Sequence, residues 1–180
     1  SSAFRGGFNG NEHIINGLYI NRFENYQGLF GFTYTASISN LGIENVDIIG
    51  SINCGGLVAS THSSGSITNC YVSGNVNGTN HIGGLVGHLD GGSNNIINCH
   101  STGNVNGEGG GSYTGGLVGR NDGYIENSYS SANVTGGVQN VGGLVGYNDS
   151  GGARIVGCSS SGSVTVNSNT DCVGGLVGFS

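Results

Sequence analysis

Apolar positions in this chain come in short groups that recur at a fixed spacing. A Leu flanked by glycine returns as GLFG at 28–31, GGLVA at 55–59, and GGLVG at 83–87, 115–119, 142–146 and 174–178. With that Leu as a ruler, Leu29, Leu57, Leu85, Leu117, Leu144 and Leu176 are separated by 28, 28, 32, 27 and 32 residues. A second mark lies between them: Ile67, Ile96, Ile125 and Ile155 are each followed nine residues later by Val76, Val105, Val134 and Val164. The lengths that vary run from Leu to Ile and from Val back to Leu, so insertions are accommodated at two corners and excluded from one side. A period in this range marks a repeat architecture.

The pattern predicts strands. Gly and Asn are poor helix formers, and no 3.6-residue apolar period survives the glycines. A propeller blade needs about 40 residues and four strands, and the LxxLxL spacing of leucine-rich repeats is missing. What remains is an all-β, single-domain parallel β-solenoid of about five to six coils, each roughly 28 residues with three short strands. Residues 1–27 read as N-terminal lead-in strands and 28–180 as coils of one continuous domain. At roughly 4.8 Å per coil, the rod is about 25–30 Å long. Stacking sets equivalent residues above one another, in columns such as Cys70, Cys99, Ser128, Cys158 and Gly74, Gly103, Ala132, Gly162. In GGLVG the glycines let backbone turn and crowd where no Cβ fits, while Leu and Val supply buried rungs. The assembly residues are therefore Gly84, Leu85, Gly116, Leu117, Gly143, Leu144, Gly175 and Leu176, with Cys70, Cys99 and Cys158 as small buried groups.

Aligned this way, the sequence resembles the GLUG-motif family, on Gly28-Leu29-Phe30-Gly31 and its five later copies. FNGNEHIINGLYI at 8–20 resembles the FDGNGHTIxxLYI segment that commonly precedes such arrays, with Asn9 and Glu12 in place of Asp and Gly, and ISNLGIENV at 38–46 is similar to the usual first rung. The resemblance implies a β-solenoid of secreted bacterial or archaeal surface proteins, including large adhesins and the non-catalytic regions of immunoglobulin A metallopeptidases. It carries over no catalytic residue.

Composition narrows the partners. There are 39 glycines in 180 residues, no Pro, and only 8% charged residues, which fits neither disorder nor collagen. A net charge of −6 with four Lys and Arg together leaves no basic stripe for nucleic acid or an anionic membrane surface. No apolar run approaches the roughly 20 residues of a spanning helix. A surface rich in Ser, Asn, Thr and Gly suits a secreted, extracellular or cell-surface protein. The five Cys cannot all pair. Cys54 shares its slot with Ile82, Val141 and Val173 and reads as core; Cys172 aligns with His81 beside a longer corner. Cys70 and Cys99 fall on adjacent coils, and the expectation is a buried free-thiol ladder rather than a disulfide.

Candidate chemistry is sparse. The only His-Glu neighbours, in NEHII at 11–15, have the wrong order for HExxH and no second His; GxSxG and a Walker motif are missing. No catalytic residue and no cofactor site is expected. Five residues after each repeat Leu comes the column His62, Asp90, Asp122, Asp149. Stacked carboxylates repel unless neutralised, so Asp90, Asp122 and Asp149 are the Ca²⁺ candidates, against the plainer expectation that each Asp caps its own turn. Tyr71, His100, Tyr129 and Ser159 form an outward column that offers a face for carbohydrate or protein, or simply stacks to stabilise the sheet. Asn77-Gly-Thr79, Asn133-Val-Thr135 and Asn148-Asp-Ser150 are glycosylation sequons.

Neither terminus carries an evident polar cap, and the chain stops at GGLVGFS, about one strand into a new coil. The expected partners are copies of the same chain, head to tail, with surface glycans or host and matrix proteins as further candidates. The expected role is a non-catalytic structural or adhesive building block of an extracellular fibre or matrix; the alternative is a stalk or binding module of a large adhesin or peptidase.

Overall fold

A computed structural model describes residues 2–91, 93–107, 113–149, 151–166 and 169–180. Strands account for all regular structure among them, from Phe4–Asn16 at one end to Val177–Phe179 at the other. Every strand pairs in parallel with its equivalents one coil away, giving one 17-stranded and one 5-stranded sheet. The result is a β-solenoid of about six turns. The register joins the columns legible in the sequence: Ile38, Ile67, Ile96, Ile125 and Ile155 pair in succession, as do Ile48, Val76, Val105, Val134 and Val164. Phe4–Asn16 pairs along Phe30–Ile49, so the lead-in strands already form a coil.

How the strands turn corners follows from single residues. In Gly65–Gly78 both Ile67 and Cys70 are buried although three positions apart, which the two-residue alternation of a regular strand forbids. The intervening Asn69 takes a left-handed backbone with φ 53°, and so do Asn40, Asn98 and Asn127 in the same column, while the next coil has Gly157. Asn tolerates this conformation better than other non-glycine residues. Its amide then reaches along the stack: Asn40 Nδ2 donates to Asn9 Oδ1 at 3.1 Å, Asn69 to Asn40 at 3.0 Å, and Asn98 to Asn69 at 3.3 Å. These Asn ladders escaped the sequence reading, which treated Asn as mere surface.

The GGLVG motif lies across a corner. Gly83 ends one strand and Val86 begins the next, with Gly84 and Leu85 forming the bend, so the motif is not a strand of its own. Leu57, Leu85, Leu117 and Leu144 are fully buried and stack as a spine. The N–H of each Leu from Leu57 to Leu144 donates to the carbonyl of the next, at 3.0, 3.0, 2.9 and 2.9 Å. A Cβ added at Gly84, Gly116 or Gly143 would overlap the carbonyl of the glycine stacked on it, Gly116, Gly143 or Gly175 respectively. This is the physical reason that residue has no side chain. The variable-length corners expected between Leu and Ile and between Val and Leu lie partly on Gly92, 108–112, Ser150 and 167–168, outside the described residues.

Two substitutions test this scheme by chemical unfolding. Leu117→Ala removes a spine residue packed on both sides and is expected to cost about 2–5 kcal/mol, whereas Leu176→Ala, at a residue already 39% exposed, costs less than half of that. Asn69→Ala loses two amide contacts and strains the left-handed corner, for about 1–3 kcal/mol, and Asn69→Gly restores the backbone part of the loss.

Candidate functional site

Two outward faces bring side chains of different coils together. On the first, Tyr71, His100 and Tyr129 are register partners. Their rings stack nearly parallel, with centroids 5.0 and 4.7 Å apart and interplanar angles of 5° and 3°. The Tyr71 hydroxyl donates to Glu44 Oε1 at 2.9 Å, which raises its pKa. Burial between the two tyrosines lowers the pKa of His100, keeping its ring neutral in the stack. Ser159 continues the column beside Tyr129 without a ring. The face is a rigid aromatic strip with Tyr129 44% exposed.

The second face follows the GGLVG corner. Residues three and five places after the repeat Leu point outward, and the residue between them points in, as strand alternation requires. The inward set is Leu89, Asn121 and Asn148, all buried. Asn121 Nδ2 donates to Asn148 Oδ1 at 2.7 Å, and Asn121 Oδ1 accepts from the Gly123 N–H at 3.0 Å. The turn-capping amide on this coil is therefore Asn121, where the sequence reading assigned Asp122. Outward, the third-place column is His88, Arg120, Tyr147 and Phe179, and the fifth-place column is His62, Asp90, Asp122 and Asp149. Beside them runs a third column with His81 and Tyr113. His81 stacks on Tyr113 at 5.0 Å, Tyr113 on Tyr147 at 4.8 Å, and Tyr147 on Phe179 at 5.4 Å.

The carboxylates on this face are unequally supported. His62 Nδ1 lies 2.6 Å from Asp90 Oδ2. Asp122 receives His88 Nε2 at 3.0 Å on one oxygen and Arg120 Nε at 2.8 Å on the other. Burial pushes the Asp122 pKa up, but the hydrogen bonds from His88 and Arg120 outweigh it and hold the carboxyl below its usual range. Burial, with repulsion from His88 and Arg120, lowers the pKa of His81 to about 4, so this ring is neutral at physiological pH. Among the described residues, one group of three has ligand atoms all within 4.8 Å of one another: His88, Asp90 and Asp122. Of the three Ca²⁺ candidates, the structure thus gathers Asp90 and Asp122 and leaves out Asp149, whose carboxylate lies 3.5 Å from the Tyr147 hydroxyl. His88 was missed because its column holds Arg, Tyr and Phe elsewhere and shows no repeating chemistry.

The thiols are structural in placement. Cys70 and Cys99 are buried and unbridged, each held by backbone of the neighbouring coils. The hydrogen bond to Cys70, with burial, pushes the Cys99 thiol well up, and burial pushes Cys54 up to about 12. Cys158 and Cys172 are half-buried. A separate cleft of about 690 Å³ lies near the first coil, between Phe4, Arg22, Tyr26, Phe30 and Phe32. Ser150 of the third sequon lies outside the described residues.

Comparison with known proteins agrees with the geometry. The GLUG motif matches at residues 78–106, 110–135 and 137–166. Halomucin of Haloquadratum walsbyi is 42% identical over 89 residues, 48% of this chain and 1% of that protein. A crystal structure from Bacteroides ovatus, described as a "putative immunoglobulin A1 protease", superposes with a TM-score of 0.76 at 27% identity, covering 95% of this chain and 55% of that one. This chain therefore spans a small part of Halomucin and about half of the solved structure. The chain therefore carries three GLUG-motif repeats at these residues, held in the stacked coils of a β-solenoid.

Proposed function

We propose that this chain is a non-catalytic structural and adhesive element of an extracellular fibre or cell-surface matrix, in which solenoid coils stack end to end. The observation that supports it most directly is the axial ladder, which repeats unchanged from coil to coil. The N–H groups of Leu57, Leu85, Leu117 and Leu144 each donate to the carbonyl of the next spine Leu at 2.9 to 3.0 Å, and Gly84, Gly116 and Gly143 each face the carbonyl of the glycine on the next coil, so every coil is a template for another like it. Backbone pairing and spine packing together are the contact that such stacking repeats. The likeness to Halomucin and to the Bacteroides ovatus protein supports a surface location.

The second reading is a stalk or binding module of a larger adhesin or peptidase. It is favoured by the Tyr71–His100–Tyr129 strip, whose flat, pre-stacked rings suit a sugar face or a protein side chain at little entropic cost.

Electron microscopy of the purified chain separates the two. End-to-end stacking predicts filaments with an axial repeat of about 25–30 Å. It also predicts that Gly175→Ala, which places a Cβ where the next coil's carbonyl would sit, yields short rods with an unchanged circular dichroism spectrum. Discrete rods from the unaltered chain would sink the fibre reading. The binding-module reading then predicts glycan or matrix-protein capture that Tyr129→Ala reduces at least about tenfold, equivalent to roughly 1.4 kcal/mol.

A further inference from the structure

The column rule of an in-register stack places each residue on its own equivalent, and at the corner after GGLVG this sets carboxylate over carboxylate. Asp90 and Asp122 lie on adjacent coils with an imidazole, His88, beside them and a second, His62, on the coil before. We infer that His88, Asp90 and Asp122 form a binding site for a divalent transition-metal ion of the zinc class, which ties consecutive coils together across this corner.

The donor set decides the metal. The sequence offered only carboxylates, and with them Ca²⁺, which takes six to eight oxygen ligands. The structure supplies one imidazole nitrogen and two carboxylates, with His88 Nε2 already 3.0 Å from Asp122 Oδ2 and all three ligand atoms within 4.8 Å. Metal–ligand bonds of about 2.0–2.2 Å around a tetrahedral centre put ligand atoms roughly 3.3–3.6 Å apart, so small side-chain rotations close the group on an ion. Nitrogen beside oxygen donors selects zinc and its neighbours over calcium.

The surroundings fit as well. Asp90 Oδ2 is held by His62 Nδ1 at 2.6 Å, and Asp122 Oδ1 by Arg120 Nε at 2.8 Å, which leaves Asp122 Oδ2 to His88. Arg120 compensates one carboxylate, so the pair keeps a net charge of −1 for the ion to neutralise. The side chains of His88 and Asp122 are 15% exposed and that of Asp90 is 35% exposed, which shelters the site yet leaves access for an ion and for water in the remaining coordination position.

The inference is independent of whether coils stack into fibres, and it is tested by calorimetric titration of the metal-stripped full chain with ZnCl₂ at pH 7.5. The expected result is one saturable equivalent per chain and a raised unfolding temperature, with Ca²⁺ unable to compete. His88→Ala and Asp122→Asn are each expected to weaken binding by about 10–100-fold, while Asp149→Asn leaves it unchanged. Circular dichroism of each variant establishes that the solenoid is intact; should one variant fail to fold, the other carries the test. Absence of saturable uptake, uptake that survives both His88→Ala and Asp122→Asn in folded protein, or preferential uptake of Ca²⁺ would each overturn the site.

Discussion

Everything in this molecule depends on the axial hydrogen bond between one coil and the next. The spine leucines show it most plainly, each inner N–H donating to the carbonyl of the Leu stacked above it at about the same distance, 2.9 to 3.0 Å. For that bond to form at a bend as well as along a strand, two backbones must approach where any side chain would intrude. Gly84, Gly116 and Gly143 meet this demand, and the cost of so much glycine in the unfolded chain is offset by the buried Leu, Val and Ile rungs it brings into contact.

In-register stacking also dictates what the surface can be. Each side chain sits on its own equivalent, so a charged position would face a like charge one coil away, while an amide carries both donor and acceptor and pairs with itself. This accounts for the Asn ladders through Asn9, Asn40, Asn69 and Asn98 and through Asn75, Asn104 and Asn133, and for a chain in which only 8% of residues are charged. Aromatic rings satisfy the same rule by lying flat on one another, as Tyr71, His100 and Tyr129 do. The corner bearing Asp90 and Asp122 breaks the rule, and it is there that imidazoles and a guanidinium collect. Function on such a scaffold is therefore sought where a column carries what stacking disfavours.

The sequence by itself determined the repeat, the parallel solenoid, the columns of Ile, Val, Leu and Cys, and the role of the glycines. A fixed spacing of equivalent residues leaves one way to bury their apolar faces, and a column of small residues implies close walls. The Tyr71–His100–Tyr129 strip was legible for the same reason. What only the tertiary structure decided lies at the corners. That GGLVG bends between Gly84 and Leu85, that Asn69 and its equivalents turn the chain through a left-handed backbone, and that Asn121 rather than Asp122 caps its turn all depend on backbone angles that spacing does not encode. So does the meeting of His88 with Asp90 and Asp122: His88 belongs to a column of unlike residues, and its proximity to carboxylates of its own and the next coil arises from strand alternation and coil stacking acting at once.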